Sequence, residues 1–155
     1  MEECTGIPII VDNEILLGKR LDGTWDLIGF GSLEKNENPY IGAQRELKEE
    51  SLHIYNIDHI KKLDEYIYTG YFKHKYVKVY LFQYNNFERI QTKYMNILYT
   101  LGKENKIKKY YLEHTDFKWF NLDNIMKEFS LPEEYIINQF TMFLIDKLIR
   151  NMQYK

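Results

Sequence analysis

The stretch from Gly31 to His53, GSLEKNENPYIGAQRELKEESLH, constrains this chain more than any other. At its centre, Arg45-Glu46-Leu47-Lys48-Glu49-Glu50 packs five charged residues into six positions, three of them carboxylates. Successive helical residues turn by about 100°, so Glu46, Glu49 and Glu50 share one helix face. Carboxylates held side by side repel one another unless a cation sits among them. Hard oxygen donors of this kind suit Mg²⁺, Mn²⁺ or Ca²⁺ rather than zinc. Charge runs on helices are more often plain solvated faces, so the run alone does not choose between a metal cluster and a wet surface.

The surrounding residues predict a helix from Pro39 to about Ser51. Asn38 is a good N-cap and Pro39 suits the first helical position. Ile41, Ala43 and Leu47 supply its buried side. Arg45 precedes Glu49 by four residues and is placed to pair with it. Glu37, just before the helix, is placed to back up the acidic cluster.

Upstream, Gly6 to Asp12 is apolar and β-branched and reads as a buried strand. Asp12-Asn13 marks a turn, and Glu14 to Arg20 reads as the returning strand of a hairpin. Asp22-Gly23 is another turn, and Trp25 to Gly29 a short strand entering the glycine loop. Downstream, Leu63 to Phe72 and Tyr76 to Tyr84 form two strands joined at Lys73-His74-Lys75. Val77, Val79 and Leu81 alternate with Lys78 and Tyr80. Tyr66, Tyr68, Tyr71 and Tyr76 read as cross-strand packing in preference to base stacking.

From Asn85 to Leu112, Arg89, Lys93, Lys103, Lys106, Lys108 and Lys109 are interleaved with Phe87, Tyr94, Tyr99, Tyr110 and Tyr111. A solvated loop is the safer reading, although the same mixture suits phosphate and base contacts. Within it, Thr92 to Leu101 fits a strand or a short helix. Phe117 to Asn121 reads as a strand, and Leu122 to Phe129 as a short helix with Asp123 in its cap. Pro132 to Gln153 reads as a long closing helix with Phe140, Phe143, Leu144 and Leu148 on the core side.

At 155 residues the chain fits one domain, 1–155, with room for a proper core. A formal net charge of −2 gives no global drive toward nucleic acid or anionic membrane. The single cysteine, Cys4, excludes an internal disulfide framework, and no apolar run approaches a membrane span of about 20 residues. Glu2 and Glu3 stand where a signal peptide has a basic region, so cytoplasmic residence is the default expectation.

Gly31, five residues, Glu37, seven residues, then Arg45-Glu46-Leu47-x-Glu49-Glu50 resembles the Nudix box at seven specified positions. Leu52 stands where the box has its late glycine, His53 at the following aliphatic position, and Phe30-Gly31 replaces a Gly-Gly pair. The resemblance implies an α/β fold of the Nudix type. That is an α/β/α sandwich with a mixed sheet, a metal-binding helix after a glycine loop and a long C-terminal helix. It also implies hydrolysis of a nucleoside diphosphate linked to another moiety, with Mg²⁺ or Mn²⁺ as cofactor. Glu46, Glu49 and Glu50 become the metal ligands, with a loop carbonyl from Gly31, Gly29 or Phe30. Glu113 is the candidate further ligand, with His114 and Asp116 as competitors. Glu49 or Glu46 is the general base, and Arg45 holds a glutamate in place.

Beyond the box, KWFNLDNIMKEFSLPEEYI resembles hydrolases of oxidised purine nucleoside triphosphates of the MutT type. Those enzymes have Trp-Pro-Asp-Asp, whose acids read the purine edge, where this chain has Leu131-Pro132-Glu133-Glu134. Pro-Glu-Glu is also an ordinary helix start. Leu131, Glu133 and Glu134, with Lys19 and Arg20, are therefore the candidate substrate-binding residues. A nucleoside triphosphate is the leading substrate. An RNA 5′ end or cap, a dinucleotide or a nucleotide sugar is the alternative. A non-catalytic nucleotide-binding module is disfavoured by the intact glutamates. The expected partner is a small nucleotide, with an RNA end not favoured, no membrane, and a monomer or homodimer.

Overall fold

The computed structural model describes residues 2–55, 57, 63–72, 74–104, 114–126 and 137–153, with backbone alone for 97, 98 and 101–104. Its elements are β1 (Glu2–Gly6), β2 (Ile10–Val11), β3 (Glu14–Arg20), β4 (Trp25–Leu27), β5 (Phe30–Ser32), α1 (Pro39–Glu50), β6 (Asp64–Phe72), β7 (Lys75–Gln83), α2 (Thr92–Glu104), β8 (His114–Asn121), α3 (Leu122–Met126) and α4 (Gln139–Gln153). One mixed sheet has the order β5-β1-β7-β6, with β1 and β7 parallel. In the other, β3 is central, flanked by β8 on one edge and by β2 and β4 on the other.

Alternation along the strands builds two cores. Ile15, Leu17, Val77, Val79, Leu81 and Phe120 face one way and meet Leu144, Ile145 and Leu148 of α4 and Ile125 of α3. Leu16, Phe82 and Phe117 face the other way and meet Ala43 and Leu47 of α1 and Met95 of α2. This is the expected α/β/α arrangement, with strands buried on both faces. Among the described residues, no helix is long and apolar enough to cross a membrane.

The hairpin turn falls where expected. Asp12 and Asn13 have φ of 48° and 63°, and Val11 pairs with Glu14, as a two-residue primed turn requires. The expected strand from Gly6 to Asp12 is instead divided. β1 ends at Gly6, and the chain passes through Pro8, which has no N–H, into the other sheet. Ile7 and Ile9 flank the crossing and are fully buried.

One open reading is decided, and three further expectations are corrected. The Thr92 segment is a helix whose Met95 is fully buried. Ahead of it, Phe87 is buried and Arg89 pairs with Glu14 and stacks on Trp119, so residues 87–96 are not a free loop. Asn121, not Asp123, caps α3, because its side chain accepts from the Asn124 N–H; Asp123 accepts from Asn13. Pro132 lies outside the described residues, but the expected helix does not run unbroken through residue 137: Ile137 bridges to Trp25, Asn138 caps Phe140 and Thr141, and α4 begins at Gln139. Tyr71 and Tyr76 meet across the hairpin, their rings 4.8 Å apart.

Candidate active site

The helix α1 forms as its sequence dictates. Asn38 accepts from the Tyr40 and Ile41 N–H groups, and Pro39 opens the first turn. Ala43, Leu47 and Glu50 form its buried stripe, while Ile41 is 55% exposed, contrary to expectation. Tyr40, one residue earlier, packs on Phe82 in its place.

The spacing of the acidic box becomes a set of contacts between loop and helix. Glu50 turns inward, and its Oε1 accepts from the Gly29 and Phe30 N–H groups, both at 2.8 Å. Gly29 has φ of 87°, a conformation that suits glycine. The Glu46 carboxylate lies directly on Gly31, where an added β-carbon would stand only 2.3 Å from the Glu46 Cδ. Any larger residue there would push the Glu46 carboxylate aside.

Arg45 joins the same construction. Its Nε and Nη2 each donate to Glu37 at 2.9 Å, a bidentate pair, and Nη2 also donates to the Ser32 carbonyl. Nη1 donates to Glu46 at 2.8 Å and reaches Glu49 only at 3.5 Å. The expected Arg45–Glu49 pair is thus the weakest of these contacts. The Arg45 hydrogen bonds hold the Glu37 carboxyl below the usual carboxylate range, and Glu37 pushes the guanidinium further up. One cation therefore faces Glu37, Glu46 and Glu49, with Glu34 at 3.7 Å. Negative charge remains in excess, all of it on hard oxygen donors of the kind that bind Mg²⁺ or Mn²⁺. In this conformation, among the described residues, no three acidic, histidine or cysteine side chains close on one point.

The helix ends at a left-handed residue even without the box glycine. Leu52 has φ of 56° and His53 of 64°. The Leu52 N–H donates to the Glu49 carbonyl and the His53 N–H to the Lys48 carbonyl, the Schellman pattern. The chain keeps this turn at a cost of roughly 1–2 kcal/mol for a non-glycine residue. Leu52 recovers part of it by packing against the α1-side core.

The other candidates separate. His114 is buried, and its Nε2 lies 2.6 Å from the Asp26 Oδ1, while Arg20 holds the Oδ2 at 2.9 Å. Asp116 accepts from the Phe117 N–H. Lys19 lines a cleft of about 460 Å³ with Trp25, Thr92, Asn96, Asp116 and Lys118. Glu113, Leu131, Glu133 and Glu134 lie outside the described residues, as do Lys106, Lys108, Lys109, Tyr110 and Tyr111. Cys4 lies half-buried on β1, and burial pushes its thiol up to about 11, which fits an unreactive residue. Two features escaped the sequence: the Asp26–His114 contact, which joins residues 88 positions apart, and the backbone amides that receive Glu50.

A family model of the NUDIX domain matches residues 3–140. No curated protein matches the chain by sequence. Among solved structures, a MutT NUDIX hydrolase from Burkholderia pseudomallei is 17% identical, with a TM-score of 0.58 over 94% of this chain and 95% of that one. A C. elegans Ap4A hydrolase is 20% identical, with a TM-score of 0.53 over 98% and 99%. A bifunctional NMN adenylyltransferase/ADP ribose pyrophosphatase from Francisella tularensis is 20% identical, with a TM-score of 0.59 over 96% of this chain and 40% of that one.

Proposed function

The chain belongs to the Nudix family and is a hydrolase acting on phosphoanhydride bonds of a pyrophosphate-containing substrate, and we propose that this substrate is a nucleoside triphosphate, cleaved with Mg²⁺ to the monophosphate and pyrophosphate. What supports the reading is the contact set itself. Gly31 receives Glu46, Glu37 grips Arg45, and the Gly29–Phe30 amides hold Glu50, so that acids outnumber cations at one end of α1. The choice of a triphosphate rests on the MutT-like run after Trp119 and on the MutT hydrolase among the fold neighbours.

Glu46, Glu49 and Glu50 are the residues to hold the ion, with Gly31 beside them. A bound divalent ion supplies charge neutralisation on the diphosphate and lowers the pKa of water. Glu49 takes the proton from the attacking water as general base. Glu46 is committed to Arg45 at 2.8 Å and Glu50 to two amides, whereas Glu49 meets Arg45 only at 3.5 Å and its side chain is 22% exposed. Arg45 orients Glu46 and keeps Glu37 ionised. Lys19, beside the cleft at β3 and β8, is positioned for a substrate phosphate or base.

The test is a product assay over nucleoside triphosphates, including oxidised purines, nucleotide sugars, dinucleotides and 5′-triphosphate RNA, with Mg²⁺ and with Mn²⁺. The proposal expects pyrophosphate and a nucleoside monophosphate from a triphosphate. Turnover confined to dinucleotides, nucleotide sugars or RNA ends would overturn the substrate assignment while leaving the hydrolase class in place.

A further inference from the structure

The β6–β7 hairpin leaves one strand open. β7 pairs along all nine residues of β6, and among the described residues nothing pairs with the other edge. A row of unpaired N–H and C=O groups invites another chain, and proteins usually guard such strands with lysine, proline, a bulge or short length. β6, DEYIYTGYF, contains no lysine and no proline, and its pairing with β7 runs without a register shift. Tyr66, Tyr68 and Phe72 turn toward the core shared with α4. On the opposite face Ile67 is 53% exposed and Tyr71 57% exposed, and Tyr76 beside it is 64% exposed. α1 packs on β1, β5 and β7.

Charge chooses the occupant. β6 opens with Asp64 and Glu65, and beside its far end stand His74 of the turn and Lys75, the first residue of β7. A second copy of the strand running antiparallel sets the acidic start of each against the basic turn of the other. A parallel copy would set acid against acid. We infer that a second copy of this chain docks along β6, extending both sheets into one, with the two-fold axis passing at Thr69. In that register Ile67 faces the partner's Tyr71, Tyr66 faces the partner's Phe72, and Asp64 comes level with the partner's His74. Each residue keeps its own face, as strand pairing requires. The exposed Ile67 and Tyr71 become a cross-strand aliphatic–aromatic pair, repeated by symmetry. This goes beyond the hydrolase reading, since none of these residues belongs to the Gly31–His53 site.

Sedimentation of the full chain over roughly a hundredfold range of concentration tests it. The mass should rise from 18.9 kDa toward twice that value. Thr69→Lys, which puts like charges opposite each other on the axis, should weaken association by about tenfold or more. Ile67→Glu and Tyr71→Lys should each weaken it, and the double variant should restore it, because the new acid then faces the new base. All three positions are exposed, so these variants should keep the fold. Hydrogen exchange on the unmodified chain gives a second reading: β6 amides should gain protection as concentration rises. A monomer throughout, a dimer indifferent to Thr69→Lys, or a double variant that does not recover would overturn the inference.

Discussion

Two arginines on this fold sit in different networks. Arg20 meets Asp26, which also takes the ring of His114. There one guanidinium is set against the Asp26 carboxylate, and the contacts tie β3, β4 and β8 together at one end of their sheet. Arg45 meets Glu37, Glu46 and Glu49, with Glu34 nearby and Glu50 held one turn further along. One guanidinium cannot neutralise that many acids. The first network joins three strands; the second gathers four carboxylates about one guanidinium, an arrangement that a divalent ion is suited to neutralise. On the proposed function, it is the excess of acid, rather than the presence of ion pairs, that would mark the functional end of the molecule.

The sharpest way to break this contrast is Glu49→Gln. With its side chain 22% exposed, the substitution should leave the fold intact, while kcat falls by about 10²–10⁴, the range expected for loss of a general base. Steady-state kinetics beside a thermal melt separates the two effects. Next in size is Arg45→Met. It leaves Glu37, Glu46 and Glu49 facing one another and should cost roughly 2–3 kcal/mol in urea unfolding, less than a fully buried pair because the guanidinium is partly solvated. Added Mg²⁺ should recover more stability in this variant than in the unmodified chain.

His114→Ala examines the first network. It should cost about 1–3 kcal/mol of stability, from a lost buried hydrogen bond and a cavity, yet change kcat by less than about twofold. A large loss of activity at full folding would place His114 in the reaction after all. The acid limb of stability offers a smaller effect. Arg45 depresses the Glu37 pKa, so the folded state gains stability above the ordinary carboxylate range and loses it as pH falls through the depressed value. Glu37→Gln should flatten that acid limb in pH-dependent melts and leave its neutral-to-basic shape unchanged. Smallest of all, His53→Gly should raise stability by about 1 kcal/mol by relieving a left-handed residue that is exposed.

Legibility in the sequence followed the range of the interactions. Asn38, Pro39, the Asp12-Asn13 turn and the β3 strand act within a few residues, and each appears where its chemistry predicts. The acidic box was legible because its spacing encodes contacts within some twenty residues. What it did not disclose is the division of labour. Glu50 belongs to the loop amides and Arg45 to Glu37 more than to Glu49, because both follow from where β5 lies. Ile41 looked like core by residue type, but Tyr40 and Ala43 take the side of α1 that meets the sheet. The closing helix shows the same limit: Pro132 lies outside the described residues, but the Ile137 bridge to Trp25 is a tertiary contact that no local signal announces, and α4 starts after it, at Gln139.

The central claim is that the surplus acids on α1 receive a divalent ion, and calorimetric titration with Mn²⁺ tests it most directly. The account predicts one site in the unmodified chain and an affinity at least tenfold lower, about 1.4 kcal/mol, in a folded Glu46→Gln/Glu49→Gln variant. Equal affinity in the two proteins, or no binding to the unmodified chain, would contradict it.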